Sequence, residues 1–392
     1  MPDPFGLASI DAVFDEMVDL RRTVHQRPEL SFQEHATTEL IRNHMTGLGI
    51  DEPTRLTDTG GVFAMDGGRP GRTVVLRADI DALPVHEDDS IERRSEVDGV
   101  MHACGHDVHV AALLGVAQAL STRREDLSGR YVFVFQPAEE SLGGAKLMVE
   151  QGALELMTGA SLIGFHVSSL MPTGLIGLRS SIAMSEAHAI RMVIEGPGGH
   201  GAMPTGKGDV VRAAAELVSL LGGVVEGLEY EGTNCVCSAG MLQAGTAVNV
   251  VPTRALVAGT LRTFTDAQRV EAIERLGQAC AELGDHHGVT VDLQFPERTR
   301  AVVNDPDCCD LVEAAARQVV GANQVMRLPP LSASDDVSEF LAHLPGCYFF
   351  VGGADPGTPG GMHHSPTFAV LDESLRTGAS VMLQGALALA AS

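Results

Sequence analysis

Three imidazoles, a thiol and a carboxylate fall within the eight positions from His102 to His109, in the string Met101-His102-Ala103-Cys104-Gly105-His106-Asp107-Val108-His109. Each can donate an electron pair to a divalent cation, and Gly105 lets the backbone bend so that Cys104 and His106 face one point. A metal site is the sharper reading of this string. The plainer one is a Cys and a His buried at a helix N-terminus, with the other histidines on the surface.

Four further clusters bear on the choice. Glu139 and Glu140 come after Gln136-Pro137-Ala138, and adjacent residues project in different directions. One carboxylate is then free to bind metal while the other holds a water on the substrate side, the division of labour that metal-assisted hydrolysis needs. Taken alone, the pair also fits a solvated helix start. Asp79 and Asp81 share a face of an extended segment that Pro84 stops, which suits one of them to orienting a histidine ligand; the alternative is an Asp-rich turn. His166 closes an apolar run. Of His363 and His364, in a loop whose glycines let backbone approach a site, one is expected to be a ligand and its neighbour not.

Apolar runs at Thr73 to Leu76, Tyr131 to Phe135, Ser161 to Phe165 and Cys347 to Val351 read as strands. Their continuous rather than alternating apolarity predicts burial on both faces, hence a helix-covered, mostly parallel α/β sheet. Helices are predicted over Ile10 to Arg27, Glu34 to Leu48, Val108 to Leu120, Gly144 to Glu150 and Glu373 to Ala391, with Asp107 placed to N-cap the third. Each polar cluster comes just after one of the strands, and ligands of such sheets gather at the carboxyl ends of strands. Between about Ile182 and Phe295 the pattern becomes strand, helix, strand, strand, helix, strand, with Ala187 to Glu195 and Cys235 to Gln243 extended and Val210 to Leu221 and Asp266 to Leu283 helical. The expected organisation is a first part of a catalytic domain over 1–181, an inserted α+β domain over 182–295, and a second part of the catalytic domain over 296–392.

Bulk composition narrows the class. A chain of 392 residues with a 44% hydrophobic fraction supports two cores. A formal charge of −24, with Lys146 and Lys207 the only lysines, argues against nucleic acid as a partner. No apolar run reaches the length of a membrane span, and the first ten residues lack the pattern of a secretory signal. Seven cysteines, an odd number that includes adjacent Cys308 and Cys309, fit a reducing compartment better than a disulfide framework, so a cytoplasmic protein is expected.

Taken together the motifs resemble those of the M20 metallopeptidase family, in the amidohydrolase branch that includes indole-acetyl-amino-acid hydrolases, hippurate hydrolases and N-acyl amino acid amidohydrolases. The resemblance spans nearly the whole chain. It is carried by Arg77-Ala78-Asp79-Ile80-Asp81-Ala82-Leu83-Pro84, the Cys-Gly-His string, Gln136-Pro137-Ala138-Glu139-Glu140, Gly198-Gly199-His200-Gly201-Ala202-Met203-Pro204, Gly245-Thr246-Ala247-Val248-Asn249-Val250-Val251-Pro252, Gly259-Thr260-Leu261-Arg262-Thr263-Phe264 and His364-Ser365-Pro366. It implies a zinc-exopeptidase-like catalytic domain and an inserted ferredoxin-like domain serving as dimerisation surface and lid. It further implies two divalent cations, zinc or manganese with nickel or cobalt as alternatives, held by Cys104, His106, Glu140, His166 and His364, with Cys104 bridging. Glu139 becomes the general base towards a metal-activated water, Asp81 the orienting carboxylate, and Asp79 fills a slot where other branches carry a histidine ligand. His200 would stabilise the tetrahedral oxyanion, often from the partner subunit, and Asn249 and Arg262 would bind the substrate's carboxylate. Two positions depart from the branch: Thr205 stands where a histidine is common, and Asp335 where a glutamate is.

The resulting expectation is a homodimeric amidohydrolase that splits N-acetyl, benzoyl or aryl-acetyl amino acids. Its rivals are a dipeptidase or carboxypeptidase of the same fold, a metal-free thiol hydrolase with Cys104 as nucleophile and His106 as base, and a catalytically silent metal-binding homologue.

Overall fold

The β-branched and aromatic runs of the sequence form the strands they predict. The computed structural model describes residues 8–91, 93–141, 143–203, 207–357 and 360–392, so Thr205 lies outside the described residues, as do Pro204 of the His200 string and Pro359 beside Gly360. Two compact units emerge, one of 1–181, 303–328 and 336–392, the other of 182–302 and 329–335.

In the first unit a seven-stranded sheet runs in the spatial order Gly61–Asp66, Ser128–Gln136, Arg69–Asp79, Ser161–Pro172, Gly346–Ala354, Ile176–Leu178, Val325–Arg327. Its four central strands are mutually parallel. The Gly346–Ala354 strand is buried at every position and Ser128–Gln136 over its last six, which is why their sequences read as unbroken apolar runs. Helices Phe14–Gln26, His106–Ser121, Pro306–Val320 and Glu373–Ala391 pack over this sheet and one another. Removing a side chain such as Phe133 or Phe135 from water contributes about 2–3 kcal/mol. The register aligns the carboxyl ends: Asp79 opposes Gln136, Arg77 opposes Gly164, and His166 opposes Phe350. Segments that leave these strands therefore start from one edge.

The expected single helix from Ile10 to Arg27 is instead two, Ala8–Asp11 and Phe14–Gln26, broken at residues 12–13. The helix expected from Val108 begins earlier, at His106, and Asp107 is not its N-cap. That position belongs to Gly105, whose left-handed φ of 88° starts the helix with no side-chain cap. Asp107 sits one position inside the helix and turns to Arg21 and His25 instead.

The second unit has its own core, including Ile190, Met192, Leu217, Val257, Leu261 and Leu276. Its antiparallel sheet is ordered Val236–Ala244, Arg254–Thr263, Glu186–Glu195, Thr290–Gln294, and its helices are Val210–Val224 and Asp266–His287. Both helices start where capping chemistry dictates. Asp209 accepts from the amides of Val211 and Arg212 at 3.0 and 3.2 Å, and Thr265 forms a capping box with Gln268. This unit extends past residue 295 because Arg298–Thr299 adds to the Glu186–Glu195 strand. It also takes in 329–335, whose Leu331 carbonyl accepts from the Ser185 amide at 2.9 Å.

Candidate metal centre

Backbone geometry at three points delivers the polar side chains to the sheet edge. At Gly105 a Cβ would stand 2.4 Å from Val167 Cγ1 and the φ is positive, so only glycine allows Cys104 and His106 to flank a tight turn against the neighbouring strand. Ala138 and His364 hold left-handed φ values of 53° and 65° without being glycine, and such strain concentrates at functional sites. Ala138 is held by its amide donating to Glu34 Oε1 at 2.8 Å, and His364 by its amide donating to the Ala103 carbonyl at 2.8 Å. Asp81 pins the two glutamates next to Ala138. Its two carboxylate oxygens accept from the backbone amides of Glu139 and Glu140 at 3.0 Å each, and Ser31 Oγ donates to it at 2.7 Å.

Cys104, His106, Glu139, Glu140, His166 and His364 converge there. Their donor atoms fall into overlapping trios, Cys104/His106/His166, Cys104/Glu140/His364 and His106/Glu139/Glu140, each within 4.8 Å. Cys104 Sγ is 3.5 Å from His166 Nε2, His106 Nε2 is 3.9 Å from both Glu139 Oε2 and Glu140 Oε1, and His364 Nε2 is 3.3 Å from Glu140 Oε1. The ring orientations leave lone pairs facing this space. His106 Nδ1 donates to the Asp81 carbonyl at 2.9 Å and His166 Nδ1 to the Val167 carbonyl at 2.7 Å, so in the neutral imidazoles Nε2 is the unprotonated nitrogen.

Two observations show that the donor set fits divalent cations. First, His106 Nε2 and Glu140 Oε1 are buried with no hydrogen-bond partner, yet lie 3.9 Å apart. Buried polar atoms are almost always satisfied, and a cation between these two satisfies both. Second, the field is strongly negative. Burial alone would lower His106, but Asp79, Asp81 and Glu140 outweigh it and raise the imidazole to about 10. Burial, reinforced by Glu140, Glu139 and Asp79, pushes the Cys104 thiol well above its usual range. A thiol so placed is a poor nucleophile unless a cation draws off its proton.

Several supporting residues escape sequence reasoning. His109 and His102, read as surface histidines, are both buried, because all but two of the sixteen residues of His106–Ser121 are enclosed and so is the turn before that helix. His109 Nδ1 donates to Asp79 Oδ1 at 2.5 Å while its Nε2 accepts from the Val167 amide at 3.0 Å, clamping the helix to the strand that carries His166. Its signal was the i, i+3 spacing from His106, which places the two rings in a stack 5.4 Å apart. Buried Arg77 ties the strand ends together, donating to Asp79 at 2.7 Å, Gln136 at 2.9 Å and Asp336 at 3.4 Å.

On the far side of the turn, His25 bridges Asp107 at 3.1 Å and Glu87 at 3.0 Å. Burial would lower this imidazole, yet hydrogen bonds to Asp107 and Glu87 raise it to about 9. A folded-state pKa above the unfolded value near 6.5 stabilises the fold below that value, and the gain disappears as pH rises through 9. Urea midpoints should therefore fall between pH 6 and 9.5 by on the order of 3 kcal/mol in unfolding free energy. His25→Gln should flatten that slope. His102, by contrast, is pushed by burial down to about 4 and stays neutral.

His200, Asn249 and Arg262 all belong to the second unit. His200 is exposed on a two-residue strand that pairs with Val250–Val251, and the Gly201 amide donates to the Asn249 carbonyl at 2.9 Å, which makes His200 and Asn249 neighbours. Arg262 Nη1 donates to the Ser332 carbonyl at 3.1 Å and Ser334 Oγ at 3.0 Å. No carboxylate among the described residues forms an ion pair with it, and burial lowers its pKa.

Residues 75–388 match Peptidase family M20/M25/M40. Thermostable carboxypeptidase 2 of Saccharolobus solfataricus is 34% identical over 377 residues, 94% of each chain. N-acetylcysteine deacetylase of Bacillus subtilis is 33% identical over 369 residues, covering 93% of this chain and 94% of its own. Among solved structures, the Bacillus subtilis YXEP protein, described as a dinuclear metal binding peptidase from the M20 family, superposes with a TM-score of 0.79 at 30% identity, over 96% of this chain and 98% of that one.

Proposed function

The chain belongs to peptidase family M20/M25/M40, whose members are metal-dependent amidohydrolases and peptidases, and from that premise we propose that it hydrolyses N-acyl amino acids to a carboxylic acid and a free amino acid. The observation that carries the reading is Glu139. Its backbone is fixed by Asp81 and its Oε2 lies 3.9 Å from the unpartnered His106 Nε2, so a carboxylate that the ligand set does not require stands beside it.

Cys104, His106, Glu140, His166 and His364 would hold two divalent cations, zinc or manganese, with nickel or cobalt also compatible with thiolate, imidazole and carboxylate donors. Bound cations supply Lewis-acid polarisation of the amide carbonyl and a water acidic enough to ionise near neutral pH. Glu139 would take the proton of the water that attacks the amide carbonyl and return it to the amine as the carbon–nitrogen bond breaks. Asp81 holds both glutamates by their amides and His106 by its Nδ1, which keeps the base and one ligand in a fixed relation. The roles of His200 as oxyanion donor, and of Asn249 and Arg262 as partners of the substrate carboxylate, rest on the motifs; an Arg262 without a carboxylate partner suits the last. A homodimer formed through the second unit and residence in the cytoplasm belong to the same proposal. No helix among the described residues is long and apolar enough to cross a membrane, and all seven cysteines are free.

A relative named as a carboxypeptidase favours one second reading, cleavage of peptides from the carboxyl end. The two are separated by offering metal-reconstituted protein N-acetyl, benzoyl and indole-acetyl amino acids alongside unblocked dipeptides and longer peptides. Faster turnover of the acyl amino acids is expected. A preference for peptides would replace the amidohydrolase reading with the peptidase one.

A further inference from the structure

The Cys104 sulfur has two imidazole neighbours, and their protons are arranged oppositely. His166 Nε2, 3.5 Å away, is unprotonated because Nδ1 gives its hydrogen to the Val167 carbonyl. His363 approaches through Nδ1, 3.6 Å from Sγ, while its Nε2 accepts from the Ser169 backbone amide at 3.4 Å. A neutral imidazole that accepts at Nε2 carries its proton on Nδ1, so His363 offers the sulfur an N–H. Its ring is held in that orientation between His166, 5.3 Å away at 65°, and Phe368, 4.9 Å away at 48°. The adjacent His364 amide is tied to the Ala103 carbonyl at 2.8 Å, which fixes the loop beside Cys104.

Resting on the reading of Cys104 as a thiolate shared by two cations, we propose that His363 is a positioning residue that donates an Nδ1–H hydrogen bond to the Cys104 sulfur. An N–H directed at the sulfur stabilises the thiolate and reduces the charge it gives to the cations, leaving them stronger Lewis acids; hydrogen bonds to cysteine sulfur tune other metal sites in this way. No ligand role for His363 is needed. The histidine that sequence reasoning set aside beside His364 thereby gains its own task.

Cobalt(II)-loaded enzyme gives the test, since a cobalt-bound thiolate shows a near-ultraviolet sulfur-to-metal charge-transfer band. His363→Phe, which keeps a ring and loses the donor, should move the band to lower energy and lower kcat roughly tenfold with KM nearly unchanged. His363→Gln, which retains an N–H, should return both part of the way. A band in His363→Phe that superposes on the wild-type band overturns the proposal. Absence of the band from wild-type enzyme overturns the shared-thiolate reading itself, and this inference with it. The zinc-loaded wild-type protein provides a check independent of any variant's folding: long-range nitrogen–proton NMR correlations should show the His363 proton on Nδ1, and a proton on Nε2 contradicts the assignment.

Discussion

Replacing Glu139 with glutamine is expected to lower kcat by about a thousandfold, within the 10²–10⁴ range of general acid–base catalysis, while metal content stays at the wild-type level. Glutamine preserves the size of the side chain and leaves the Asp81 bond to the backbone amide of residue 139 intact, so the loop and the ligands beside it keep their places. What is lost is the ability to take a proton and return it to the amine. Metal analysis by mass spectrometry and steady-state kinetics on the same preparation separate the two. Full activity in the variant would remove Glu139 from the mechanism. Loss of metal along with activity would make it a ligand instead of a base.

Cys104→Ala should behave differently. Cys104 is the one residue common to the trios with His106 and His166 on one side and Glu140 and His364 on the other. Truncation should weaken binding of both cations by more than about a hundredfold, the upper end of what losing an outer partner costs, and should take activity with it. The same variant addresses the thiol-hydrolase alternative. That mechanism also loses activity in Cys104→Ala, but its wild-type enzyme keeps working after chelation. Without a cation, burial among carboxylates disfavours the thiolate, which already counts against a metal-free thiol mechanism.

The meeting of the candidate site residues at one sheet edge was legible because both-face burial wrote the central strands as unbroken apolar runs, and few residue types can bind metal. Asp79, His166 and the segment after Gln136 could be placed at one edge on that basis alone. What stood hidden was of two physical kinds. Asp107 has the composition of an N-cap, but Gly105 occupies the cap with a positive φ that a helix-start rule does not anticipate. Arg77 shows the other kind. Its partners Gln136 and Asp336 lie 59 and 259 residues away, a relation no local spacing encodes. The end of the second unit escaped for the same reason, since 329–335 joins it only after the chain has returned to the first unit over 303–328. His109 differs, because its helical spacing from His106 was visible and its burial was not.

The central claim is that two cations held by five side chains make this chain an amide hydrolase. Its most direct measurement is a titration of chelator-stripped wild-type enzyme with manganese or zinc, monitoring release of free amino acid from an N-acyl amino acid. The stripped protein should show no turnover, and activity should rise and level off at two equivalents of metal per chain. Undiminished turnover in the stripped protein, or none at any metal concentration across the acyl amino acid and peptide panel, would contradict it.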